Sequence, residues 1–108
     1  MRSLLTALAG CLILLPGRIA AQADSHPTLT VGSATARRGE LVYGAIQVPA
    51  GSDSGYAIPV VVVHGARPGP VLALVSGAHG TEYASIIALE QLIGRLDPNT
   101  IAGSVIIL

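Results

Sequence analysis

The sequence has no tryptophan, no phenylalanine and no lysine, and it holds a single cysteine, Cys11. One cysteine excludes a disulfide within the chain and a zinc site built on thiolates, so a zinc ion here must be held by histidine and carboxylate groups. Charge is scarce as well: 11% of residues are charged and the formal net charge is zero. That balance excludes an electrostatic case for nucleic acid. The basic residues are scattered arginines, and only Arg37-Arg38 are adjacent, a pair that reads as part of a solvated loop. What is present is aliphatic: 51% of the 108 residues are hydrophobic, chiefly Ala, Val, Leu and Ile. The length suffices for at most one small domain.

The chain opens with a leader pattern. Arg2 supplies a short positive region, Leu4 to Leu15 an apolar one, Pro16-Gly17 a break, and Ala21-Gln22-Ala23 a small-x-small cleavage site. Residues 1–23 therefore read as a secretory signal peptide cut after Ala23. The remainder is expected outside the cytoplasm, periplasmic or secreted. The apolar stretch falls short of the ~20 residues of a membrane span, so no stable span is expected in the mature chain. A competing pattern, Leu8-Ala9-Gly10-Cys11, matches a lipoprotein box with Cys11 lipidated, but apolar Leu12 to Leu15 follow where polar residues are usual.

Residues 24–57 read as an N-terminal β segment. Asp24 to Pro27 is a polar start expected to fray, with His26 as a solvated tail histidine. Thr28 to Val31 predicts a short strand, Gly32 to Gly39 a turn or loop, and Leu41 to Val48 a strand ending at Pro49. Ala50 to Gly55 is a turn cluster. Tyr56 to Val63 predicts a strand whose run Val60-Val61-Val62-Val63 is apolar on both faces, as in a sheet covered on both sides. Ala66 to Pro70 reads as a turn, and Val71 to Val75 as a further buried strand. The connection is short enough to make these two strands antiparallel neighbours. Ile86, Leu89, Ile93 and Leu96 recur at helical spacing over Ala84 to Leu96, and Asp97-Pro98 stops the helix. Ser104 to Leu108 begins another buried strand. The order predicts an α/β fold with a mixed β-sheet and flanking helices. An apolar run without a polar tail at Leu108 predicts a longer protein, of which this chain is an N-terminal part.

The stretch Ser76-Gly77-Ala78-His79-Gly80-Thr81-Glu82-Tyr83 lies between the strand at Val71 to Val75 and the helix. His79 and Glu82, three apart at a helix start, can reach one ion, and zinc favours that pairing of imidazole nitrogen with carboxylate oxygen. Gly77 and Gly80 permit unusual backbone angles and leave room for a ligand. The carboxyl end of a strand is where open α/β sheets place ligands, and Thr81 is positioned to cap the helix. The bland alternative is a surface histidine beside a glutamate that complements the helix dipole. His-Glu-x-x-His is absent, and Tyr83 stands where the inverted motif needs histidine.

Pro68-Gly69-Pro70, an apolar strand, Gly77-Ala78-His79-Gly80-Thr81-Glu82, a helix, and then Gly103-Ser104-Val105-Ile106 together resemble the succinylglutamate desuccinylase/aspartoacylase family of zinc-carboxypeptidase-like deacylases. The resemblance runs from Ile58 to Leu108, about half the chain, so residues 58–108 are expected to begin a zinc hydrolase domain. It implies one Zn2+ per intact protein with His79 and Glu82 as its first two ligands. It also implies metal-activated water that cleaves an amide or ester bond of an acylated amino acid or peptide-like substrate. The family's third ligand, general base and substrate-binding arginines lie farther along than Leu108, so this stretch alone is expected to be inactive and to hold zinc poorly. His64, at the end of the preceding strand, is the only other nearby histidine. Two rival readings are a serine α/β-hydrolase, with His64-Gly65 as its oxyanion loop, and a non-catalytic secreted binding module.

Overall fold

The computed structural model describes residues 22–108, so most of the expected leader, Cys11 included, lies outside the described residues. Six strands and one helix follow in the order β1 (Thr28–Val31), β2 (Ala34–Arg37), β3 (Glu40–Val48), β4 (Tyr56–His64), β5 (Arg67–Leu74), α1 (Tyr83–Ile93) and β6 (Ala102–Ile107). A four-stranded sheet takes the order β3-β4-β6-β5, and β1-β2 form a separate hairpin. The sheet is mixed: β3 and β6 run antiparallel to β4, whereas β5 runs parallel to β6. The expected α/β class with a mixed sheet is what the described residues form.

The valine run of β4 explains the layering. Successive side chains of a strand point to opposite faces. Val60 and Val62 face the hairpin and pack with Ala34 and Ala36 of β2. Val61 and Val63 face the helix side and pack with Ile107, Leu89, Ile93 and Leu96. All four valines are buried, as a strand covered on both faces requires. Each fully buried side chain of this size contributes about 1.5–3 kcal/mol relative to exposure.

Three expectations about this region are corrected. Gly32 to Gly39 is not a loop throughout: Ala34–Arg37 is β2, paired with β1 and inserting two small alanines against β4. An alternating Ala-x-Ala pattern with short side chains lacks the β-branched signal of a strand. Arg38 is not solvated; it donates to the carbonyls of Asp24 (2.7 Å), Gly65 (3.2 Å) and Arg67 (3.3 Å). Nor does Asp24 fray, because it pairs with Gly69 across an antiparallel bridge, its N–H donating to the Gly69 carbonyl at 2.7 Å.

The strands β4 and β5 are not neighbours either, since β6 lies between them. Pro68 and Pro70 deprive the first half of β5 of the N–H groups a hairpin with β4 would need. The chain instead crosses through α1 and lays β6 into the gap, with a register shift between Arg67 and Val71. Gly103 makes this close approach possible: its φ is +89°, and a Cβ there would stand 2.1 Å from the Pro70 carbonyl oxygen. As the outer strand, β5 exposes Val71 and Leu72, so its apolar run is not buried on both faces among the described residues.

Candidate metal centre

The turn between β5 and α1 carries the candidate ligands. It begins at Ser76, whose N–H donates to the Leu108 carbonyl at 2.9 Å and ties the turn to the end of β6. Gly77 follows with φ +67°, a left-handed conformation that reverses the chain at little cost only for glycine. The Glu82 N–H donates to the His79 carbonyl at 3.2 Å, closing the last turn before the helix. This closure brings the side chains together, with His79 Nδ1 lying 2.9 Å from Glu82 Oε1. Gly80, between them, has open space where a Cβ would stand.

Thr81 does not cap the helix. Glu82 occupies the N-cap position with no side-chain cap bond, and the Ser85 hydroxyl donates to the Glu82 carbonyl at 2.9 Å. With the carboxylate of Glu82 turned towards His79, the first N–H groups of α1 lack a side-chain acceptor, which favours an anionic group near the helix start.

The donor chemistry suits zinc. Two ligands on one tetrahedral zinc, with bonds of about 2.0–2.2 Å, stand about 3.3–3.6 Å apart, so the 2.9 Å contact is a hydrogen bond that would open by about half an ångström to admit an ion. The side chains are open to solvent, 79% for His79 and 50% for Glu82. An exposed pair of this kind stabilises a fold by about 0–1 kcal/mol. No third histidine, cysteine or carboxylate joins the pair among the described residues. A mainly apolar cleft of about 260 Å³ opens between α1 and the sheet, bordered by Tyr43, Ile86 and Leu108; neither His79 nor Glu82 lines it.

His64 is not a ligand in this arrangement. It is fully buried, with Nδ1 at 2.7 Å from Ser104 Oγ and Nε2 at 3.0 Å from the His26 carbonyl. The carbonyl can only accept, so Nε2 carries the proton and the Ser104 hydroxyl donates to Nδ1. Both nitrogens are thereby engaged. Gly65 does not offer an oxyanion donor, because its N–H donates to the Gly103 carbonyl at 2.8 Å. The serine-hydrolase reading of His64-Gly65 loses its support on both residues. The role of Ser104 was not legible in the sequence, where it reads as one polar position in an apolar strand.

The chain is similar to the N-alpha-acetyl-L-2,4-diaminobutyric acid deacetylase of Halomonas elongata, with 38% identity over 69 residues, 60% of this chain and 20% of that relative. The chain thus spans about a fifth of the length of the curated relative it matches. No protein-family model and no solved structure matches.

Proposed function

We propose that this chain is part of a zinc-dependent deacylase of the succinylglutamate desuccinylase/aspartoacylase type, acting on an acylated amino acid outside the cytoplasm. The observation that carries the reading is the convergence of His79 Nδ1 and Glu82 Oε1 at 2.9 Å on the turn after β5. Similarity to a deacetylase supports the reaction class, and the leader pattern of residues 1–23 supports export.

In this reading His79 and Glu82 supply two ligands, and a third donor comes from elsewhere in a longer protein. Zinc, when bound, lowers the pKa of a bound water towards ~7 and polarises the carbonyl to be cleaved. The part played by this chain is to present the two donors from a turn anchored to β6, with Gly80 keeping the space above them clear. The open helix start beside Glu82 favours a substrate carrying negative charge.

The test is zinc content and hydrolysis of N-acetylated amino acids by the intact protein, compared with His79→Ala and Glu82→Ala. Zinc and activity are expected to fall together to background in both variants. Full hydrolysis by either variant would overturn the assignment.

A further inference from the structure

The first described residues hold a second place where nitrogen donors converge. The backbone of Asp24 to His26 is strapped to the body of the protein through its carbonyls: Arg38 donates to that of Asp24 at 2.7 Å, and His64 Nε2 to that of His26 at 3.0 Å. The His26 side chain, by contrast, is 81% exposed. The strap also turns back on itself. The His26 N–H donates to Asp24 Oδ1 at 2.9 Å, and His26 Nδ1 meets the same oxygen. One backbone and one ring nitrogen of His26 therefore already face a common point, now taken by the carboxylate. The leader reading places cleavage directly before this strap, which makes Asp24-Ser25-His26 the start of the exported chain and converts the Asp24 nitrogen from an amide to a free α-amine.

We propose that this processed N-terminus is a square-planar Cu(II) or Ni(II) site, distinct from the His79–Glu82 pair. The inference rests on the leader reading and on cleavage after Ala23. Its four donors are the α-amine of Asp24, the backbone nitrogens of Ser25 and His26, and His26 Nδ1. A histidine at the third position closes fused chelate rings of unstrained size through all four. Binding releases one proton from the α-ammonium and one from each of the two amides, and the imidazole binds neutral with its proton on Nε2. Two amidate charges then cancel the charge of the ion, and affinity rises with pH. Planar nitrogen coordination suits Cu(II) and Ni(II), and the divalent series favours Cu(II). Zinc, which favours tetrahedral sites, does not drive amide deprotonation. The carbonyl oxygens held by Arg38 and His64 are not donors to the ion and project out of the chelate rings, so those bonds survive. What is given up is the bond from Asp24 N to the Gly69 carbonyl, together with the present place of the Asp24 carboxylate. Asp24 Oδ2 has no hydrogen-bond partner among the described residues and meets Arg38 Nη2 only at 4.0 Å, so moving the carboxylate breaks no hydrogen bond of that oxygen.

The exported protein would be recovered, its N-terminus read by mass spectrometry, and Cu(II) added at neutral pH. A protein beginning at Asp24 should take one equivalent with the visible band and four-nitrogen electron-spin signature of a planar site. The signature should be lost in His26→Ala and in a form with an extra alanine ahead of Asp24, and should persist in His79→Ala and in excess zinc. His26 is exposed, so its replacement leaves the fold intact. Absence of the signature in a chain that begins at Asp24 would overturn the site while leaving the leader reading standing. A start at any other residue would overturn the site and the cleavage after Ala23 on which it rests.

Discussion

His64 and His79 each place Nδ1 within hydrogen-bond reach of a side-chain oxygen, at 2.7 Å from Ser104 and 2.9 Å from Glu82. The first is completely buried and joins β4 to β6 and to the N-terminal strap; the second is 79% exposed and bonds within its own turn. A short contact therefore says little about role. What separates the two is how many elements hold the ring, and whether its lone pair can reach anything but its present partner. His64 is spent on cohesion, and His79 remains open to a ligand.

The largest break in this comparison should come from His64→Ala. It leaves a cavity, the Ser104 hydroxyl and the His26 carbonyl unsatisfied, and about 2–4 kcal/mol of stability should be lost in urea unfolding. A loss under ~1 kcal/mol would mean that the buried network is not the clasp described. Ser104→Ala removes only the donor to His64 Nδ1, with an expected loss of about 1–2 kcal/mol by the same measurement.

Glu82→Ala sharpens the contrast from the other side. In the metal-free protein its stability should change by no more than ~0.5–1 kcal/mol, while zinc retained by the intact protein on dialysis should vanish. A large loss of stability with zinc kept would show that Glu82 serves the fold and not a metal.

The smallest effect concerns the third histidine. Hydrogen bonds from the His26 backbone, then from its side chain, hold the Asp24 carboxyl below its ordinary value of 3.8, with Arg38 adding a smaller pull in the same direction. The stabilisation is present above that value and is lost as pH falls through the lowered one. In the metal-free protein, the Asp24 carboxyl followed by NMR should titrate with a midpoint below 3.8. A midpoint at or above it would show that the Asp24–His26 contact does not persist in solution.

Much of the fold was legible because it is written locally. The valines of β4 and the helical spacing of Leu89 and Ile93 are short-range patterns, whereas the expected stop at Asp97-Pro98 fell late, since α1 ends at Ile93 with Gly94 as its C-cap. β2 was missed because Ala34 and Ala36 carry no strand signal until they are seen filling the narrow space over Val60 and Val62. The expected pairing of β4 with β5 failed because connection length limits which strands can be neighbours without saying what else enters between them.

By itself, the sequence put His79 and Glu82 within reach of each other, because a separation of three residues at a helix start is a local geometry. It determined equally that Asp24, Ser25 and His26 follow the expected cleavage site in a row. Only the tertiary structure decided what His64 does. Its partners Ser104 and His26 lie 40 and 38 positions away along the chain, and no local pattern encodes a contact that exists only once β6 has entered the sheet and the strap has closed over its edge.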